Sequence, residues 1–183
     1  HWIIDPIDGT RAFILDIPIW GTLIAYNDGS RSVLGVADLP ALGKRFAGYN
    51  DKSYDISDGK ETPIFANKDI ELEDCVISTT DPLLFSKEDY TSFEKLASLS
   101  SKRRFGLDCA GYCLLASGKI DLIIEPNLKN YDIQALIPII EGSGGIITTW
   151  NNEKVYQGGN IIACSNKKLH SRAIRIINDS KEH

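Results

Sequence analysis

Residues 2–10 read Trp2-Ile3-Ile4-Asp5-Pro6-Ile7-Asp8-Gly9-Thr10. An apolar run that ends in an acid reads as a short buried strand from Trp2 to Asp5. Pro6 fixes φ and, with Gly9, punctuates the following residues as a turn. Such a turn can bring the Asp8 carboxylate back beside Asp5 and leave the Ile7 carbonyl facing inward. Two carboxylates and a carbonyl make a hard-oxygen pocket, suited to Mg²⁺ rather than zinc. Gly9 lets the backbone approach a ligand closely. The amides of Gly9 and Thr10 open the next helix, an end that favours a phosphate. The alternative is a surface Asp-Pro turn that caps a helix.

Outward from this turn, the chain predicts a short helix over 11–15 and strands over 19–26, 32–38 and 44–49, with Asn27-Asp28-Gly29 as a hairpin signal. Residues 51–61 predict another hairpin. The rhythm then changes to strands near 75–78, 102–105, 120–125, 146–150 and 161–164. Helices alternate with them at 87–100, 109–117, 132–141 and 167–177. Residues 1–66 therefore read as an antiparallel-sheet half and 67–183 as an α/β half. Together they make a layered α/β sandwich. Pro138, inside the helix expected over 132–141, predicts a kink.

Composition narrows the chemistry. The 183 residues carry 25 acids against 20 bases, a net charge of −5, which disfavours a duplex-wrapping nucleic-acid protein. No apolar run approaches the roughly 20 residues that span a bilayer, so the expectation is a cytoplasmic protein with no membrane or nucleic-acid partner. Cys75, Cys109, Cys113 and Cys164 form no C-x-x-C pair; Cys109 and Cys113 would share a helix face as buried thiols. The histidines are His1, His170 and His183, poor material for a zinc site or a Ser-His-Asp triad. Any catalysis must rest on carboxylates. A second candidate is Asp132, placed in the first turn of its helix, where the helix N-terminus favours an ionised side chain.

The stretch from Trp2 to Thr10 resembles the hallmark motif of the inositol monophosphatase family of Mg²⁺-dependent, lithium-sensitive phosphatases. Tyr131-Asp132, with Gly142-Ser143-Gly144-Gly145 downstream, is similar to that family's second hallmark. The resemblance runs over essentially the whole chain. It implies an αβαβα sandwich and two or three Mg²⁺ per site. Asp5 then corresponds to a carboxylate bridging two metals, Ile7 offers its carbonyl to the first, and Asp8 and Asp132 complete the second. Thr10 would orient and help deprotonate the attacking water, with the Gly9 and Thr10 amides on the phosphate. The family also implies a homodimer. Its metal-binding glutamate lies about twenty residues before the Asp-Pro motif, and the chain starts abruptly at His1 without any Met. The N-terminal helices are therefore expected to be missing, and the chain alone is expected to be inactive.

Within the family, Asp108 in Arg104-Phe105-Gly106-Leu107-Asp108-Cys109 resembles the histidinol-phosphate phosphatase branch. So do Gly9-Thr10-Arg11-Ala12-Phe13, Trp20-Gly21-Thr22 and the run from Tyr131 to Leu136. Asp16 stands where that branch suggests glycine. Carboxylates at Asp108 and Glu125 would pair with the ammonium and imidazole of histidinol phosphate, with Asp132 also on the substrate side. Alternatively, Asp108 caps the helix beginning at Cys109. The other functional readings are an inositol-1-monophosphatase or broad sugar-phosphate phosphatase, and a family member that chiefly binds RNA polymerase or ribosomal factors.

Overall fold

Alternating apolar and polar side chains in the N-terminal third build one antiparallel sheet in the computed structural model, which describes residues 1–181. Its strands are β1 (Trp2–Asp8), β2 (Gly21–Asn27), β3 (Ser32–Leu39), β4 (Lys44–Tyr49), β5 (Lys52–Ser57) and β6 (Lys60–Pro63), in that spatial order. Leu23, Ala37 and Phe46 are paired across β2, β3 and β4 and are buried on the inner face. The second sheet comprises β7 (Val76–Thr79), β8 (Lys102–Phe105), β9 (Leu122–Leu128), β10 (Ile146–Thr149) and β11 (Gly159–Cys164). Its order is β10-β11-β9-β7-β8, with β7 parallel to both neighbours.

The helices are α1 (Thr10–Ile14), α2 (Lys87–Leu99), α3 (Asp108–Ala116), α4 (Asn130–Ile133), α5 (Leu136–Gly142) and α6 (Lys167–Lys181). One core joins the first sheet to α3, α5 and the inner face of the second sheet; another joins that sheet's outer face to α2 and α6. Leu122-Ile123-Ile124 in β9 serves both cores, Ile123 the inner and its neighbours the outer. A strand covered on both faces reads as an unbroken apolar run. The layers are thus sheet, helices, sheet, helices, an α+β sandwich. No described helix is long and apolar enough to cross a membrane.

Two local expectations are corrected. The first strand does not end at Asp5 but runs through Pro6 to Asp8. β1 is an edge strand with a single neighbour, where a sheet tolerates proline. The helix expected over 132–141 is two helices, α4 and α5, broken at Gln134–Ala135 rather than at Pro138. A proline ring clashes with the carbonyl four residues earlier, here Gln134. Pro138 itself sits in the first turn of α5, where its missing N–H costs nothing.

The start of α5 lies directly on the first sheet. A Cβ on Gly35 would stand 1.9 Å from the Ala135 carbonyl oxygen, and one on Gly48 would stand 2.3 Å from the Pro138 carbonyl. Ser53 adds a hydroxyl that donates to the Ile139 carbonyl at 2.6 Å. These seats set where the preceding α4, and Asp132 with it, meets β1.

Candidate metal centre

Side chains three apart on a regular strand point to opposite faces. In β1 the register slips: Asp5 pairs with Leu23, but Asp8 pairs with Gly21, so three steps on β1 match two on β2. This bulge turns Asp8 to the side of Asp5. The Thr22 hydroxyl donates to the Pro6 carbonyl at 2.9 Å across the irregular stretch. Asp132 arrives from α4, packed on β1. One carboxylate oxygen from each of Asp5, Asp8 and Asp132 lies within 4.8 Å of the other two.

Each carboxylate has one oxygen held by a backbone N–H. Ile7 donates to Asp5 Oδ1 at 3.1 Å, Cys109 to Asp8 Oδ2 at 2.8 Å, and Lys129 to Asp132 Oδ2 at 2.7 Å. The second oxygen of each accepts no hydrogen bond from a backbone N–H among the described residues. No ion pair among the described residues involves any of the three. Burial pushes Asp8 up to about 7, helped by the charges of Asp108 and Asp5 and opposed by the Cys109 bonds. Asp132 is also raised, by burial and by Asp5, with the Lys129 N–H opposing.

A group of crowded carboxylates short of positive charge fits a hard divalent cation. The donor set agrees, since it offers oxygen alone. The Cys109 thiol beside Asp8 is buried, and its pKa stands well above the ordinary value, so it remains a thiol. The Ile7 carbonyl accepts from the Thr10 hydroxyl at 3.0 Å.

The other expected site residues divide into two groups. Gly9 leads into α1 with φ 77, and a Cβ there would meet Asp108 Oδ2 and the Trp20 backbone at 3.3 Å. Only glycine suits both the left-handed backbone and the space. Asp108 is half-buried against Gly9 and itself has φ 45. α3 starts at Asp108 rather than Cys109, so the acid stands in the first turn of the helix, one residue inside the cap position expected for it. Burial raises its pKa, while Arg11 opposes the shift.

Glu125 lies deeper, at 3% exposure. Its carboxylate accepts from the Thr80 N–H at 2.7 Å, the Thr80 hydroxyl at 2.9 Å and the Thr79 hydroxyl at 3.3 Å. Burial lifts its pKa to about 7 against those bonds, with the charge of Asp108 adding to the rise. The structure therefore gathers Asp5, Ile7, Asp8, Gly9, Thr10, Asp108 and Asp132 around one edge, with Glu125 enclosed behind them. Thr79, Thr80 and the Cys109 amide are absent from the sequence reading. A threonine pair leaving an apolar strand was the available signal for the first two; a backbone amide leaves none.

Comparison with known proteins bears on the family. The model of the inositol monophosphatase family matches residues 1–182. A protein from Arabidopsis thaliana, the chloroplastic bifunctional phosphatase IMPL2, is 36% identical over 182 residues, covering 94% of this chain and 52% of its own length. The histidinol-phosphatase of Chlorobaculum parvum is 29% identical over 167 residues, covering 91% of this chain and 64% of that protein. The chain thus spans between half and two thirds of these two curated relatives. An inositol monophosphatase from Zymomonas mobilis superposes with a TM-score of 0.90 at 37% identity, over 97% of this chain and 70% of that one. By sequence over nearly its whole length and by fold, the chain belongs to the inositol monophosphatase family.

Proposed function

We propose that the protein is a Mg²⁺-dependent phosphomonoesterase whose substrate is a small phosphate ester bearing a cationic group, best matched by histidinol phosphate. The observation that carries this reading is Asp108: a half-buried carboxylate in left-handed backbone, against Gly9, in no ion pair among the described residues. A half-buried carboxylate lining the same space as Gly9 is placed to meet a ligand held there. An ammonium would complete it.

Asp5, Asp8, Asp132 and the Ile7 carbonyl would hold the cations. Divalent cations in such a site supply Lewis acidity to phosphoryl oxygens and lower the pKa of water. The Thr10 hydroxyl gives its proton to Ile7, so its oxygen remains free to accept one from a nucleophilic water and orient it. The Gly9 and Thr10 amides, at the opening of α1, suit the phosphate. Two or three cations and a homodimer belong to the same proposal and rest on the family resemblance.

Phosphate release by the full-length protein with Mg²⁺ tests it. A kcat/KM for histidinol phosphate about 100-fold above that for inositol 1-phosphate, ~2.7 kcal/mol, is the expected result. A ratio near one or below overturns the cationic-substrate reading. It would favour an inositol phosphate, the reading supported by the Zymomonas mobilis likeness.

A further inference from the structure

Four of the five ion pairs among the described residues brace neighbouring strands or tie α6 to Glu71 and Glu73; the fifth crosses the rim of the candidate site. Its Arg11 Nη1 lies 3.2 Å from Asp81 Oδ2, joining α1 to the segment that leaves β7. The other oxygen of Asp81 accepts from the Leu83 N–H at 2.9 Å, so the acid is fixed on both sides. Further contacts close a ring from this pair to Asp108. Thr80, beside Asp81, offers its carbonyl to the Gly106 N–H at 2.8 Å. Two residues after Gly106, Asp108 packs against Gly9, and Arg11 follows Gly9 by two residues. Glu125 holds the ring from behind through the Thr80 N–H. The pair therefore stands on the same rim as Asp108, and the Arg11 charge acts there, opposing the rise that burial causes. Yet Asp108 forms no ion pair among the described residues. Arg11 is largely exposed, and such a pair adds at most about 1 kcal/mol to stability. Its consequence lies in where it keeps the guanidinium.

We propose that Asp81 is a specificity-determining positioning residue: its pair with Arg11 keeps the guanidinium off Asp108 and leaves that carboxylate open to the cationic group of the substrate. This rests on the reading of Asp108 as the partner of that group. A planar guanidinium can seat two donors on one carboxylate, whereas an ammonium acts as a point charge. Released from Asp81, Arg11 would occupy Asp108 and compete with the substrate. Asp81 thus restrains a competitor that the chain itself carries.

A double-mutant cycle in the full-length protein with Mg²⁺ tests this. Asp81→Asn should lower kcat/KM for histidinol phosphate about tenfold, mostly through KM, the scale of one charge-assisted hydrogen bond. Inositol 1-phosphate, which bears no cationic group, should change by less than about twofold. Arg11→Met should alter kcat/KM for histidinol phosphate by less than about threefold in wild type. In the Asp81→Asn background it should restore about tenfold. Independent effects of the two substitutions, as loss of a distant charge would give, overturn the proposal, and so does an equal loss on both esters. If Asp108→Asn spares histidinol phosphate, the reading of Asp108 fails and this proposal falls with it. If Asp108→Asn impairs that ester and Asp81→Asn does not, only the role of Asp81 falls.

Discussion

Asp8, half-buried, and Glu125, buried, are both acids pushed up to about 7, yet their surroundings differ. Glu125 accepts three bonds from Thr79 and Thr80 and fastens β9 to the end of β7. Asp8 accepts one backbone N–H, stands beside Asp5 and Asp132, and forms no ion pair among the described residues. Similar upward shifts thus serve two purposes. Where hydrogen bonds complete the carboxylate it supports the fold, and where they stop short it is left to capture charge from outside.

The comparison breaks most visibly at Asp8. Asp8→Asn should weaken Mg²⁺ or Mn²⁺ binding by at least about 100-fold, ~2.7 kcal/mol, on the affinity scale. Its melting temperature in chelator should hold or rise, since a like-charged neighbour of Asp5 has gone. Calorimetric titration and thermal melts together check both halves.

Glu125→Ala should do the reverse. It strands the Thr80 N–H and hydroxyl, so about 2–3 kcal/mol of stability should be lost, read from denaturant unfolding. Cation affinity should change by less than about threefold, under ~0.7 kcal/mol.

Asp108 lies between these extremes. Asp108→Asn should lower kcat/KM for histidinol phosphate about 30-fold, ~2 kcal/mol, as expected for a lost charge-assisted bond. The same variant should leave inositol 1-phosphate nearly untouched; equal losses on both esters would remove Asp108 from substrate discrimination.

A last test sharpens the comparison through pH. Glu125 is held at about 7 in the folded chain, above its ordinary value of 4.5. The folded state therefore keeps a proton that the unfolded state releases. Its contribution to stability is complete below about pH 4.5 and is lost as pH rises through about 7. Glu125→Gln should flatten that part of the stability profile, and Mg²⁺ should not.

Much of the architecture was legible. The helix near 87–100 follows from apolar spacing, and the antiparallel run follows from its turn residues. The approach of Asp5 to Asp8 was also legible, but through the wrong device. A tight turn was expected, whereas a bulged strand does the work, because register against Gly21 and Leu23 cannot be read from one strand alone. The break before Pro138 came early because the ring acts on a carbonyl a full turn upstream. Asp16, where the branch resemblance suggests glycine, has φ 56, a conformation in which glycine is at ease and aspartate is tolerated. The Cys109 amide that holds Asp8 belongs to the main chain, so no side-chain pattern announces it.

The close seating of α5 on Gly35 and Gly48 has a practical consequence for variant libraries. Adding one methyl at residue 35 obliges the helix to lift, since the new carbon would stand 1.9 Å from a main-chain oxygen. The lift would travel through Ala135 and Gln134 to Asp132, changing the spacing of the acids while leaving each one in place. Gly35→Ala would then rank with active-site knockouts in a screen for phosphate release, although residue 35 touches no ligand. Phenotype alone would label it catalytic, when its job is that of a spacer setting the distance between two layers.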